Sequence, residues 1–253
     1  MGHGLSKATF QGDAGFGEAT FKGHAEFKSA SFRGEGCFRE ATFENNAGLR
    51  EAVFERDADF SEATFKAVAA FDAVNFERNA GFDNAAFEGD TSFKGATFEG
   101  DATFPKVTLQ GYTDFESAIF HGLGWFADAT FEGDTTFREA TFKSDVGFLN
   151  ATFKVLAYFE SVTFNGAAWF KKATFEGGAE FTKVTFKGYA DFSSTVFENN
   201  AGFLDATFKA DADFESAIFD GVAWFRSTTF EKAEKFGCTS PPASQTTGSR
   251  WRS

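Results

Sequence analysis

Large apolar residues recur along this chain at alternating spacings of six and five residues, from Phe10 to Phe236. The series has 42 positions: all 40 phenylalanines of the chain occupy one, and Leu49 and Leu109 fill the other two. A domain assembled from varied helices and strands would not place one residue type so regularly, whereas stacked structural repeats would. The chain is therefore predicted to be a single repeat array with an 11-residue period.

A small residue stands two positions before nearly all of these large residues. It is alanine at 29 of the 42 positions and glycine, valine or threonine at 12 more. A small residue, a variable residue and a large residue thus follow one another, so that every second side chain is apolar. This period of two indicates a strand with one buried face. Steps of five and six residues do not keep to one face of an α-helix, so the spacing excludes a helix.

Corners must separate these short strands. The second residue after the first phenylalanine of each 11-mer is glycine in 12 of 21 cases, such as Gly12 and Gly89. We expect these glycines to adopt backbone conformations closed to other residues. The extra residue of the longer step follows and is often acidic, as at Asp13. Strands and corners with phenylalanine and alanine always inside would wind a coil, and stacked coils would bury one continuous core.

The repeat resembles that of the pentapeptide-repeat family, whose unit reads Ala-(Asp/Asn)-Leu-x-x. Ala47-Gly48-Leu49, Ala58-Asp59-Phe60 and Ala212-Asp213-Phe214 carry the resemblance, which covers residues 8–236. It implies an all-β fold, a right-handed parallel β-helix that forms a four-sided (quadrilateral) solenoid. Phenylalanine in place of leucine and the additional residue in every second unit both suggest a wide, 22-residue coil.

The alternative is a two-sided coil in which each 11-mer makes one full turn. The corners that contain the extra residue of each six-residue step, called here sixth-residue corners, favour the 22-residue coil. They fall into two interleaved sets that differ in charge. The set that begins at Asp13 and recurs once per 22-residue coil holds six acids, and the set that begins at His24 holds two. These sets look like two different edges of one rod. With a rise of about 4.8 Å per coil, the rod would be on the order of 50 Å long.

The unbroken series predicts one domain over residues 8–236, preceded by a short leader at 1–7. Residues 237–253 contain Pro241-Pro242 and many serines and threonines, which predicts a disordered tail. No polar cap is evident at either end of the array. Uncapped coils expose core and unpaired strand edges, so either the ends pair with another copy or the chain is part of a longer protein. Of these, we expect a homodimer formed through the ends.

The charge balance disfavours several classes of partner. A net charge of −13 argues against binding nucleic acid or an anionic membrane surface. No apolar run is long enough to span a bilayer, and residues 1–7 lack the apolar core of a secretory signal. Cys37 and Cys238 are far apart and are expected to be free thiols. These features predict a cytoplasmic protein.

Residue types that carry chemistry are scarce. His3, His24 and His121 have no serine or cysteine partner on a neighbouring strand. No glycine-rich phosphate loop and no zinc-ligand spacing of cysteine and histidine is present. We therefore expect no catalytic site, no cofactor and no metal, and the protein is predicted not to be an enzyme.

Outward aromatic residues are the first candidate protein-contact site. Trp125, Tyr158, Trp169 and Trp224 all fall between the buried positions of the repeat. Exposed large apolar side chains often mark contact surfaces. The alternative is that these rings cover the corners of a wide rod or follow from duplication of one motif. A 22-residue coil places Trp125 and Trp169 on one side, and Tyr158 and Trp224 on the opposite side.

These features predict a rigid, non-enzymatic rod that binds a protein whose identity the sequence leaves open. The family resemblance implies a more specific alternative. Some pentapeptide-repeat proteins resemble rods of duplex DNA and occupy the DNA-binding saddle of type II topoisomerases such as gyrase. Outward acids would then stand in for phosphates, and the candidates are Asp13, Glu35, Asp57, Asp59, Asp101 and Asp145.

Overall fold

The structure, a computed structural model, describes residues 3–236. They form a parallel β-solenoid of about ten coils, in which two-residue strands build four sheets and no helix occurs. Phe54 pairs with Phe32 in one neighbouring coil and with Phe76 in the other, which defines a 22-residue coil. The 22-residue, four-sided coil is thus confirmed. The 11-residue alternative is wrong, because it would have paired Phe10 with Phe21.

Each sheet forms one face of the rod, and the faces are named A to D in the order in which the chain visits them. Face A consists of His3–Gly4, Ala25–Glu26, Ala47–Gly48, Ala69–Ala70, Thr91–Ser92, Thr113–Asp114, Thr135–Thr136, Ala157–Tyr158, Ala179–Glu180, Ala201–Gly202 and Ala223–Trp224. Face B consists of Thr9–Phe10, Ser31–Phe32, Val53–Phe54, Asn75–Phe76, Thr97–Phe98, Ile119–Phe120, Thr141–Phe142, Thr163–Phe164, Thr185–Phe186, Thr207–Phe208 and Thr229–Phe230.

Face C consists of Ala14–Gly15, Gly36–Cys37, Ala58–Asp59, Ala80–Gly81, Ala102–Thr103, Gly124–Trp125, Val146–Gly147, Ala168–Trp169, Ala190–Asp191, Ala212–Asp213 and Glu234–Lys235. Face D consists of Thr20–Phe21, Thr42–Phe43, Thr64–Phe65, Ala86–Phe87, Thr108–Leu109, Thr130–Phe131, Thr152–Phe153, Thr174–Phe175, Val196–Phe197 and Ile218–Phe219. The chain visits the faces in a cycle, so face A lies opposite face C and face B lies opposite face D.

Phenylalanine rings fill the interior. From Phe27 to Phe214 every phenylalanine of the series is at most 1% exposed. Rings in equivalent positions of neighbouring coils stack with centroids 4.4–5.2 Å apart, which matches the spacing of paired strands. Rings from different faces meet edge to face, as Phe60 and Phe71 do at 5.4 Å and 88°. Both arrangements are favourable for aromatic pairs, so phenylalanine can supply nearly all the large side chains of the core.

The turns that follow faces A and C have an unexpected backbone. One residue in each of these turns has a φ between 52° and 63°, in the left-handed region. A hydrogen bond such as the one that the Ala30 N–H donates to the Phe27 carbonyl closes the turn. Among the residues with this conformation only Gly95 is glycine; the others include Glu51 and Ser117. The left-handed position recurs once in each 11-mer, and nothing in its residue types marks it.

The corner glycines are not favoured for the backbone conformation that was expected of them. Gly12 and Gly89 do not have a positive φ. A Cβ atom added to Gly89 would lie 2.6 Å from the carbonyl carbon of Ala67, in the preceding coil. The expectation of a special backbone conformation at these corners is therefore wrong. Glycine is favoured there because the backbones of neighbouring coils approach closely.

A left-handed alanine can be used to test this turn. Replacing Ala73, whose φ is 52°, with glycine should raise the free energy of unfolding by about 0.5–1 kcal/mol. The gain comes from relieving the steric conflict of Cβ and is reduced by the greater freedom of glycine in the unfolded chain. The matched control is Ala70→Gly, in the neighbouring strand, which should destabilise by about the same amount. A denaturant titration in which both changes destabilise would contradict the assignment of the turn.

The solenoid reaches into the segment that was predicted to be a leader. His3–Gly4 pairs with Ala25–Glu26, and Leu5 packs partly against the core. Leu5 lies five residues before Phe10 and so continues the same series of apolar positions. The predicted tail at 237–253 lies outside the described residues.

Candidate protein-contact surfaces

The outward aromatic residues lie on two opposite faces. Trp125 and Trp169 are on face C, two coils apart, with Gly147 between them. Tyr158 and Trp224 are on face A, three coils apart. This placement is the one that the 22-residue coil predicted. As contact residues, the four remain predictions.

The side chain of Trp125 extends to the next coil of face C and contacts Gly147 there. A Cβ atom added to Gly147 would be 2.5 Å from Cε3 of the Trp125 indole, so the ring covers this glycine. Leu123 precedes the strand of Trp125 and Leu149 follows that of Gly147; both leucines are half-buried, as are the two tryptophans. Leu123, Trp125, Gly147, Leu149 and Trp169 together form an apolar area on face C, called here the tryptophan strip.

The two candidates on face A have different surroundings. The guanidinium of Arg138 lies 4.1 Å from the centre of the Tyr158 ring, and Arg138 also forms an ion pair with Glu160. Tyr158 is therefore already covered by a neighbour within the rod. Trp224, by contrast, is 40% exposed and lies beside the exposed Val222.

Four of the candidate acids have a structural role at the corner before face C. The Oδ1 atoms of Asp13, Asp57, Asp101 and Asp145 each accept a hydrogen bond from the backbone N–H of the residue 22 positions later, at 2.8–3.1 Å. Asn79 accepts the same bond from Asp101. These bonds connect consecutive coils, which explains why a short carboxylate or amide side chain is common at the sixth residue.

Asp59 and Glu35 differ from these four acids. Asp59 lies on face C itself, and its Oδ1 accepts the N–H of Ser61 at 2.8 Å, which closes a local turn. Asp191 and Asp213 make the same bond to the residue two positions later. Glu35 donates its backbone N–H to Asp13. The six predicted acids therefore lie on one side of the rod: four carboxylates are held at the corner, that of Asp59 is held in a local turn, and Glu35 is joined to Asp13 through its backbone.

The corner hydrogen bond can be separated from the corner charge. Replacing Asp57 with alanine should lower the free energy of unfolding by about 1–2 kcal/mol, because the N–H of Asn79 loses its acceptor. Replacing Asp57 with asparagine should change it by less than about 0.5 kcal/mol, since an asparagine accepts this bond at position 79. Urea titrations of the two variants would measure the difference. Equal losses would show that charge, not the hydrogen bond, is what stabilises this corner.

Negative charge is concentrated on one side of the molecule. The C side is defined as four outward positions in each coil: the sixth-residue corner before face C, the outward residue of the strand, and the two residues of the turn that end at the left-handed one. In the first coil these are residues 13, 15, 17 and 18. The C side holds fifteen carboxylates and five cations, a net charge of −10, against −13 for the whole chain. The carboxylates are Asp13, Glu18, Glu35, Glu40, Asp57, Asp59, Glu62, Asp83, Asp101, Asp128, Asp145, Asp191, Asp211, Asp213 and Glu215, and the cations are Arg39, Lys106, Lys171, Lys172 and Lys235.

The adjacent B side has the opposite sign. It comprises the outward residues of face B and the two positions that follow each of its strands. It holds seven cations and four carboxylates, a net charge of +3. The sequence analysis named six of the fifteen acids of the C side as candidates, because it did not align all the outward positions of successive coils. The sequence written with one coil per row would have brought the others together.

Tyr189 joins the acidic side near one end of the rod. Its hydroxyl donates a hydrogen bond to Oδ2 of Asp213 at 3.2 Å. Partial burial, together with the charges of Asp191 and Asp213, raises the pKa of Tyr189 to about 12. The phenol therefore stays neutral at physiological pH and remains a hydrogen-bond donor.

Residues 3–236 show neither a metal-binding cluster nor a membrane-spanning helix. No group of three or more histidine, cysteine, aspartate or glutamate side chains in this range is arranged to hold a metal ion. Over the same range, no helix is long and apolar enough to cross a membrane. A shallow groove of about 230 Å³ lies on face A over Gly48 and Ala70, and one of its walls is formed by Arg50, which is ion-paired with Asp72 at 2.9 Å.

Comparison with known proteins agrees with the architecture. The family model described as "Pentapeptide repeats (9 copies)" matches six overlapping segments: residues 5–49, 27–74, 38–85, 71–119, 115–160 and 156–196. No curated protein and no solved structure gives a significant match to the chain. The matched segments cover well over half of the sequence and coincide with the coils. The chain therefore belongs to the pentapeptide-repeat family.

Proposed function

We propose that this protein is a non-enzymatic, rigid interaction rod that binds basic protein surfaces through its C side. The observation that carries the proposal is the charge asymmetry: the C side has a net charge of −10, whereas the adjacent B side is positive. A surface of one sign attracts partners of the opposite sign and orients them before contact. The half-exposed Cys37 fits a reducing, cytoplasmic location.

The framework suits such a role because it holds the charges at fixed spacing. Four ladders of parallel strands run along the rod, and the core beneath them is made of stacked phenylalanine rings that only Leu49 and Leu109 interrupt within residues 3–236. The corner hydrogen bonds of Asp57, Asp101 and Asp145 fix their carboxylates relative to the backbone. Groups held in place in advance lose little conformational entropy when a partner binds.

The second candidate function is mimicry of DNA toward a type II topoisomerase such as gyrase. Its support is the density of charge along the rod. Fifteen carboxylates spread over ten coils of about 4.8 Å amount to roughly one per 3 Å of axis. One strand of duplex DNA carries one phosphate per roughly 3.4 Å. The tryptophan strip interrupts the acidic surface, so the more general function is the better supported of the two.

A gyrase supercoiling assay separates the two functions. If the rod mimics DNA for this enzyme, adding the protein should reduce conversion of relaxed plasmid to the supercoiled form, and added plasmid should relieve the effect. Unchanged supercoiling at a large molar excess of the rod would reject gyrase as the partner. Binding of a basic peptide through the C side would still test the general function.

The predicted homodimer stays a proposal about the ends of the rod. Within residues 3–236, the first and last strands of every face have one unpaired edge. Near the last coil, Ile218 and Val222 are each 49% exposed. Unpaired edges and exposed apolar side chains favour end-to-end association. Sedimentation equilibrium should show a dimer; a monomer at high concentration would reject it.

A further inference from the structure

We propose that the tryptophan strip makes the C side selective for arginine over lysine in its basic partner. A guanidinium would stack on the indole of Trp125 while the carboxylate of Asp145 pairs with it. This inference deepens the proposed function and rests on it, since it describes how one part of the C side recognises a partner. The expected occupant is an extended, arginine-containing protein segment.

The first support is the position of the ring relative to the acid. The six-membered ring of the Trp125 indole contacts Gly147, and Asp145 precedes Gly147 by two residues in the same coil. Two residues of extended chain span about 7 Å. A planar cation resting on the ring therefore lies within reach of the Asp145 side chain.

The second support is the free oxygen of Asp145. Its Oδ1 accepts the backbone N–H of Ala167 at 2.8 Å. Its Oδ2 has no hydrogen-bond partner among residues 3–236, and no cation of that range pairs with Asp145. The carboxylate is thus fixed in place by one oxygen and able to bind a ligand with the other.

The third support comes from the rod itself, which already holds one guanidinium in this way. On face A, Arg138 lies 4.1 Å from the centre of the Tyr158 ring and pairs with Glu160. At that position an arginine of the same chain contacts both an aromatic ring and a carboxylate. Trp125 and Asp145 present the same two groups, and no arginine or lysine of residues 3–236 lies over the Trp125 ring.

Arginine suits this pair better than lysine for a physical reason. The guanidinium is planar and weakly hydrated, so it can lie on an aromatic ring and still donate hydrogen bonds at its edge. The lysine ammonium is compact and strongly hydrated, and it must lose more water to approach the ring. Charge attraction alone would not distinguish the two residues.

The test compares oligoarginine and oligolysine peptides of equal length, by calorimetric titration of the full chain at physiological salt. The arginine peptide should bind about five- to tenfold more tightly. Replacing Trp125 and Trp169 with serine should remove this preference, whereas Trp224→Ser, on the opposite face, should leave it unchanged. Equal affinity of both peptides for the wild-type rod overturns the selectivity and leaves the acidic surface as the binding site. Failure of both peptides to bind overturns the selectivity and the proposed function together.

A second pair of variants keeps the corner hydrogen bond, so that the fold is retained. Asp145→Asn and Asp57→Asn each remove one charge from the C side, and each keeps a side chain that can accept the corner hydrogen bond. Asp145→Asn should weaken binding of the arginine peptide by about fivefold, and Asp57→Asn by less than about twofold. Equal effects of the two changes on the arginine peptide would contradict the paired ring and carboxylate.

Discussion

Replacing Phe131 with alanine should lower the free energy of unfolding by about 3–5 kcal/mol. Phe131 is fully buried on face D. Its ring stacks on Phe153 at 4.6 Å and meets Phe137 edge to face at 6.2 Å. The change removes this ring and leaves a cavity between coils that the paired backbones cannot close. Denaturant titration of the two proteins would measure the loss.

Thr130 is the matched control because it precedes Phe131 in the same strand and points outward. Replacing Thr130 with alanine leaves the backbone pairing to Thr108 and Thr152 in place. We expect a loss below about 1 kcal/mol, from weaker contacts across strands. Equal losses at the two positions would show that inside and outside have been assigned wrongly.

Neutralising the acidic corner should weaken the binding of a basic peptide about tenfold. The variant changes Asp13, Asp57, Asp101 and Asp145 to asparagine, which keeps an acceptor for each corner hydrogen bond. Each lost charge removes roughly 0.3–0.5 kcal/mol of attraction at an exposed surface. An oligolysine peptide is the probe, because it reports charge without selectivity for arginine.

A variant with the same loss of charge elsewhere serves as the control. Glu44, Glu88, Glu176 and Glu198 follow the strands of face D, and changing all four to glutamine makes the net charge less negative by the same amount. We expect the affinity of this variant for oligolysine to fall less than about twofold. If the two variants lose affinity equally, the rod acts through its total charge and the C side has no special role. Raising the salt concentration should reduce the difference between them.

Much of the architecture could be predicted because the repeat encodes it locally. The alternation of alanine and phenylalanine predicts which side chains are buried, and the alternating six- and five-residue spacing predicts where the chain turns. From these, the 22-residue coil and the opposite placement of Trp125 and Trp224 follow. The same logic applied to Leu5 would have moved the start of the solenoid into the first seven residues.

The turns were harder to predict from composition. Glycine was expected to mark unusual backbone, yet the left-handed positions are held by residues such as Glu51 and Ala73. The stacking of coils forces this conformation on whichever residue stands there. Glycine is favoured at corners such as Gly89 because the backbone of the neighbouring coil lies close to it. The local sequence does not show this contact.

The sequence by itself determined which residues face the core and how many residues form a coil, because burial alternates along the chain with a short period. Only the tertiary structure decided which outward groups are neighbours. Residues 22 positions apart, such as Asp57 and Asn79, become adjacent when coils pair, and a hydrogen bond then joins them. The concentration of charge on the C side and the contact of Trp125 with Gly147 arise in the same way. Surface chemistry in a solenoid depends on stacking between coils, whereas the fold depends on the alternation within each one.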